Sequence, residues 1–167
     1  LLSKEGRMME LHFKDFVLLN IYFPNGGSGE ERLRYKMRFY DEFLKHISGL
    51  VEQGKHVVFC GDVNTAHQAI DLARPKENEK VSGFLPIERS WMDQLVEAGF
   101  VDTFRSAEPE TVKYSWWDMK TRARERNVGW RIDYFFVNQA FLPRVKGTEY
   151  LNDVTGSDHC PVLLKIG

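Results

Sequence analysis

Four short segments gather side chains able to do acid–base and phosphate chemistry. They are Tyr22-Phe23-Pro24-Asn25, Gly61-Asp62-Val63-Asn64, Arg131-Ile132-Asp133-Tyr134 and Gly156-Ser157-Asp158-His159. Each lies at the end of an apolar run or the start of a loop, where a lone Asp most often caps a turn or a helix. Together they supply three carboxylates, a histidine, two asparagines and two tyrosines, Tyr22 among them. That inventory suits phosphoryl-group chemistry with a hard divalent metal. Oxygen ligands hold Mg²⁺ and a carboxylate takes a proton from water. Amide, phenol and imidazole donors stabilise charge growing on a phosphate.

These segments need a scaffold to bring them together. Residues 8–13 and 16–23 read as two strands around a turn at Lys14-Asp15, the second apolar on both faces and so expected to be central and buried. The loop Pro24 to Gly29 breaks the pattern. A helix is expected over 30–53, with Leu33, Met37, Tyr40, Leu44, Ile47 and Val51 as its inward stripe and Gly54 as its end. A strand at 56–61 delivers Asp62. A second helix at 87–98 turns Trp91, Leu95 and Val96 inward and stops at Gly99. Strands follow near 112–117, 131–137, 144–151 and 161–166. Helices placed between strands indicate a layered α/β sandwich.

The chain has 167 residues, 43% of them hydrophobic, enough for one modest core. The formal net charge of −1 excludes a globally basic nucleic-acid binder, so any polyanion site must be local. Residues 113–131 offer such a patch in Lys120, Arg122, Arg124, Arg126 and Arg131, flanked by Trp116, Trp117 and Trp130. Cations reach phosphates and aromatic faces pack on sugar. The competing reading, a solvated charge run over core tryptophans, is favoured for Trp117. No run of about 18 apolar residues is present, so no membrane span is expected. Lys4, Glu5 and Arg7 interrupt the start, so no signal peptide is expected. The start at Leu1 hints at a chain beginning inside a longer protein. Cys60 and Cys160 are too few for a disulfide framework and read as reduced thiols of an intracellular protein.

The ordered set GDVNTAH (61–67), GWRIDYFF (129–136) and GSDHCPV (156–162) resembles the exonuclease III family of DNA-repair nucleases. These are apurinic/apyrimidinic endonucleases within the endonuclease/exonuclease/phosphatase superfamily. IYFPNGG (21–27), GFLPIERSWMDQL (83–95) and VDTFR (101–105) fit the same family, and the match covers essentially the whole chain. The resemblance implies that Asp62 activates or positions the attacking water and that Asn64 orients it and contacts phosphate. His159 would donate to the scissile phosphate, held in its tautomer by Asp133. Asp158 would be the metal carboxylate, with Asp62, Asn64 and His159 also in reach of the metal, Mg²⁺ or Mn²⁺. Tyr22 and Asn25 would contact the phosphate. Trp116 and Trp130 would line the pocket for a flipped abasic sugar, with Asn78 and Arg126 among the DNA contacts.

One family feature does not occur here. The metal-binding Glu of the family sits in a QETK-like segment, behind an NVNG-like one, and neither is present. The resemblance therefore implies that residues 1–167 form a partial domain lacking its N-terminal sheet. The expected fold is the C-terminal half of a four-layer α/β sandwich, one mixed sheet with helices on its outer face. The implied activity is cleavage of the DNA backbone 5′ to abasic sites, with 3′-exonuclease and 3′-phosphatase activities alongside, and residues 1–167 on their own are expected to be impaired in it. The implied partners are duplex DNA with abasic sites, no membrane, and a missing N-terminal half or a second copy. The setting would be cytoplasmic in a prokaryote and nuclear in a eukaryote. Two rival readings stand beside this one: a superfamily phosphoesterase acting on inositol phosphates or sphingomyelin, and a half-domain that binds DNA without cutting it.

Overall fold

The computed structural model describes residues 5–167; residues 1–4, Leu1 and Lys4 among them, lie outside the described residues. Strands and α-helices follow one another as β1 (Met8–His12), β2 (Val17–Tyr22), α1 (Glu30–Glu52), β3 (Val57–Asp62), α2 (Pro75–Asn78), α3 (Pro86–Glu97), β4 (Phe100–Asp102), α4 (Thr103–Ala107), β5 (Trp116–Trp117), β6 (Gly129–Trp130), β7 (Asp133–Asn138), β8 (Val145–Tyr150) and β9 (Val162–Ile166). The main sheet has the order β1-β2-β3-β7-β4. It is mixed: β2 and β3 run parallel, joined through α1, and the remaining pairs are antiparallel. The α/β class expected from the sequence is what forms. The expectation of a single sheet needs correction, because β5–β6 and β8–β9 close into separate two-stranded sheets.

One face of the main sheet is sealed by α1 and α3. Val17, Leu19 and Ile21 of β2 point there with Val57 and Phe59 of β3. Phe23 sits at the centre, with Phe39, Tyr40 and Phe43 of α1 meeting it edge-on at centroid distances of 5.6, 5.4 and 5.0 Å. Such aromatic pairs add to what area burial alone contributes. The inward face of α1 is therefore Phe39, Tyr40, Phe43, Ile47 and Leu50. It is rotated from the expected stripe, of which Tyr40 and Ile47 are buried while Met37, Leu44 and Val51 only flank the core. The aromatics around Phe23 decide the rotation. A lysine, Lys36, is buried on the same face.

The opposite face is covered in part. Val58 and Val137 pack under Phe141, with Val145 and Leu164 of the β8–β9 hairpin beside them. Along β2 that face runs from half-buried Leu18 to exposed Asn20 and Tyr22, so β2 is buried on one face rather than two. Met9 and Leu11 of β1 stay 56% and 43% exposed. Among the described residues no helix is long and apolar enough to cross a membrane.

Candidate active site

Strand register creates the site. Asp62, the last residue of β3, lies opposite Tyr22 of β2 on one side and Asp133 of β7 on the other. Residues paired across strands share a face, so three polar side chains are set in a row at one end of the sheet. Gly61 makes the close approach of β2 and β3 feasible. Its φ is +132°, and a Cβ there would overlap the Ile21 carbonyl oxygen.

Beyond Asp62 the chain turns sharply through Asn64, which has φ +57°, a left-handed conformation that Asn tolerates better than most residues. The turn directs both Asn64 donors to Asp62. Its backbone N–H reaches Oδ1 at 2.8 Å and its Nδ2 reaches Oδ2 at 3.0 Å. Nδ2 also donates to the Phe23 carbonyl at 2.9 Å, and Asn64 Oδ1 accepts from Asn25 Nδ2 at 3.0 Å. Asn25, Asn64 and Asp62 thus form one chain of hydrogen bonds.

His159 arrives on the loop before β9. Its Nδ1 meets Asp133 Oδ2 at 2.8 Å, which fixes the ring and leaves Nε2 to face the cavity. Asp133 is itself anchored: Ser115 Oγ accepts the backbone N–H groups of Ile132 and Asp133, each at 3.0 Å. Tyr150 Oη donates to the Asp133 carbonyl at 2.7 Å. Asp158 Oδ2 accepts from the Trp116 indole at 3.1 Å, and Trp116 and Trp130 pack edge to face with centroids 6.5 Å apart.

These groups line one cavity of about 290 Å³, formed by Tyr22, Asn25, Asp62, Asn64, Asp158 and His159 with Trp116, Trp130, Ile132 and the Val81-Ser82-Gly83 edge. Its lining combines these polar groups with aromatic and aliphatic side chains. No Lys or Arg lines it among the described residues. Burial pushes the Asp62 carboxyl up to about 7, and the Asp133 charge adds to the push; the Asn64 N–H, His159 and Lys36 act against it. Burial works against a charged His159, but the Asp133 hydrogen bond and charge outweigh it and raise its pKa. Burial opposes the Asp158 charge, and the Trp116 hydrogen bond leads the effects that lower its pKa nonetheless. The site thus pairs a carboxyl that releases its proton near neutrality with an imidazole inclined to keep one.

Several residues read from the sequence as DNA contacts or as part of the basic patch do not line this cavity. Arg131 is fully buried, hydrogen-bonded to Asp71 at 2.8 Å and ion-paired with Asp102 at 2.8 Å, and cannot reach DNA. Arg124 stacks on Trp117 and donates to the carbonyls of Ser157, Asn152 and Val154, which ties down the Asp158–His159 loop. Trp117 is 2% exposed, a core residue. Arg126 is exposed but donates to the Thr121 carbonyl and does not line the cavity. Asn78 closes its own turn by donating to the Ala73 and Arg74 carbonyls. Ser115 and Tyr150 orient the site without any sequence signal, because a lone Ser or Tyr has no spacing that marks it, and Arg124 is visible in the sequence only as one cation of the basic patch. The donor set for a metal is incomplete: among the described residues no three His, Cys, Asp or Glu side chains converge to hold an ion. Asp158 and Asp62 offer part of a coordination sphere at most.

The chain is similar in sequence to proteins of defined name. It is 44% identical over 165 residues to an exodeoxyribonuclease of Bacillus subtilis, covering 98% of this chain and 65% of that protein. It is 44% identical over 163 residues to the DNA repair nuclease APEX1 of Danio rerio, covering 97% of this chain and 52% of that one. The chain therefore spans less than two thirds of the length of these relatives. Its fold matches an AP endonuclease of Leishmania major with a TM-score of 0.88 at 27% identity, over 97% of this chain and 55% of that one. The family model described as the endonuclease/exonuclease/phosphatase family matches residues 6–159, nearly the full length, and the chain belongs to that family.

Proposed function

We propose that this chain carries the phosphodiester-cleaving site of a DNA-repair nuclease of the exonuclease III type, cutting 5′ to abasic sites. The observation that supports it most is the cavity itself, where an Asp62–Asn64 pair faces a His159–Asp133 dyad beside a wall of two tryptophans. One phosphodiester needs few cations, and among the described residues the only cation lining the cavity is His159 when protonated. An inositol polyphosphate would call for several. The tryptophan wall suits a sugar without its base.

In this reading Asp62, deprotonated, takes the proton of the attacking water, and Asn64 holds that carboxylate in line. His159, protonated, donates from Nε2 to a phosphoryl oxygen, while the Tyr22 hydroxyl and Asn25 amide sit at the rim to stabilise the same charge. Mg²⁺, with Mn²⁺ as substitute, is the cation the family reading implies, and Asp158 is the carboxylate best kept charged for it. The donor set in these residues is too small to support a step through the metal. The test is incubation of the chain, alone and joined to the N-terminal segment of the Bacillus subtilis relative, with duplex DNA carrying one abasic site, beside inositol phosphate, sphingomyelin and intact duplex; the joined form decides, since the donor set among the described residues of this chain alone is incomplete. Strand breaks 5′ to the abasic site are expected. Release of phosphate from the inositol substrate, or binding of duplex without a break, would overturn the proposal.

The protonation states predict a pH dependence. The rate should climb about tenfold per unit as pH rises toward about 7, where Asp62 ionises, and fall again above the raised pKa of His159. Stability should move the opposite way on the acid side. The folded pKa of Asp62, about 7, lies above the unfolded value of 3.8. The fold therefore binds a proton that the unfolded chain releases, and stability is lost as pH rises from about 4 through about 7, by up to about 1.4 kcal/mol per unit. Asp62→Asn abolishes that loss. In chelator-treated buffer, the melting temperature of the variant minus that of the parent should grow between pH 5 and pH 8. A difference that stays flat would show that Asp62 titrates normally.

A further inference from the structure

Lys36 is a charged residue that the reaction above does not use. It lies on the buried face of α1, fully enclosed, close behind the Asn64 turn. After β3 leaves the sheet, three successive carbonyls lose ladder partners, and each is met by a buried side chain. Tyr40 Oη donates to the Val63 carbonyl at 2.7 Å, Lys36 Nζ to the Asn64 carbonyl at 2.7 Å, and Tyr134 Oη to the Thr65 carbonyl at 2.9 Å. Unpaired buried carbonyls are costly, and here none of the three is left so. Lys36 has three donors, and the remaining two go to Thr65 Oγ1 at 3.0 Å and Glu88 Oε1 at 2.5 Å.

Glu88 reaches further. Its other contacts are Ser82 Oγ at 2.9 Å, the Gly83 N–H at 2.6 Å and the Leu85 N–H at 3.0 Å. Ser82 and Gly83 line the same cavity as Asp62 and Asn64. One buried ion pair therefore ties together two walls of the site: the Asn64 turn through Lys36, and the Ser82-Gly83 edge through Glu88. Asn64 is held from both ends, its amides on Asp62 and its carbonyl on Lys36.

We propose that Lys36 is a positioning residue for catalysis: clamped by Glu88, it holds Asn64 in the left-handed turn that points its carboxamide at Asp62. This rests on the reading of Asp62 and Asn64 as reacting groups given above. A purely structural pair predicts a different outcome. Replacing a buried ion pair by neutral groups of similar volume is often neutral or stabilising for the fold. Misplacing a reacting group by about 1 Å costs about 10²-fold in rate.

The experiment is Lys36→Met/Glu88→Gln in the full chain. The Gln oxygen still accepts from the Gly83 and Leu85 amides, and nothing charged is stranded. The melting temperature should stay within a few degrees of the parent. On abasic duplex kcat should fall about 10- to 100-fold while KM changes less than about threefold. The Asn64 side-chain NH₂ resonances, recorded by ¹⁵N NMR in the parent and the variant, should shift as their bond to Asp62 loosens. A variant with parental kcat overturns the proposal. Should the double variant not fold, Lys36→Leu/Glu88→Gln, which also strands no charge, decides: a fall in kcat at constant KM supports the clamp, and parental kcat refutes it. Should the parent leave abasic DNA intact even when joined to the N-terminal segment of the relative, the functional reading fails. The clamp is then judged by the Asn64 resonances alone, and unmoved resonances sink it.

Discussion

Asp62→Asn and His159→Asn should each lower the rate of nicking at an abasic site by about 10²-fold or more. The losses have different origins. The carboxamide that replaces Asp62 has no basic oxygen for the proton of water, and a positioned general base contributes about 10² to 10⁴. Replacing His159 removes the imidazole whose Nε2 faces the cavity, and a single preorganised donor to developing phosphate charge is worth about 10² to 10³. The two should also differ in pH profile. The parent's acid limb, set by Asp62 near 7, should disappear in Asp62→Asn and persist in His159→Asn. The alkaline limb should do the reverse. Steady-state rates on an abasic duplex between pH 5 and pH 9 separate these outcomes. Nicking by Asp62→Asn at near-parental rate would remove Asp62 from the role of base. An alkaline limb that survives in His159→Asn would show that another group carries the required proton.

The motifs that mark these residues are readable because each one solves a local backbone problem as well as a chemical one. GDVN ends a strand, and its Gly, Asp and Asn are the residues that permit the turn there. The β2 alternation is not visible, because Leu18 and Tyr22 make the second face read as apolar, although in the fold Leu18 is half-buried and Tyr22 exposed. The orientation of α1 is not visible. Its apolar residues fill two overlapping stripes, and the choice between them belongs to Phe23, a residue from another segment. Charge misleads in the same way. Lys36 and Arg131 look solvated in sequence, yet both are fully buried because Glu88 in one case, and Asp71 with Asp102 in the other, come from distant segments to neutralise them. The short β4 and α4 escape for another reason. A three-residue strand carries no periodicity, although Asp102 caps α4 by accepting from the Phe104 and Arg105 N–H groups, a signal that is present in VDTFR.

Gly61→Ala should undo the fold around the site, with a loss of melting temperature of about 10 °C or more, or no soluble protein at all. Two costs combine. At φ +132° an Ala is strained, and sparsely populated backbone conformations cost about 1–3 kcal/mol. The larger cost is contact. The new methyl would overlap the Ile21 oxygen and sit 2.8 Å from its carbonyl carbon and 3.0 Å from its nitrogen. All three are backbone atoms of β2, held in register with β3 from Val17↔Val57 to Tyr22↔Asp62. They cannot withdraw without opening the parallel pairing that sets Tyr22, Asp62 and Asp133 side by side. Several kcal/mol against a typical stability of about 5–15 kcal/mol is a large share, and at this chain length each kcal/mol moves the midpoint by about 2–4 °C. Gly54→Ala is the control. Gly54 also has positive φ, +78°, but a Cβ there meets no atom within 4 Å, so it should lose only the conformational part, a few degrees. Thermal melts of the two variants beside the parent make the comparison. Equal losses would show that backbone strain alone, and not the closeness of β2 to β3, makes glycine necessary before Asp62.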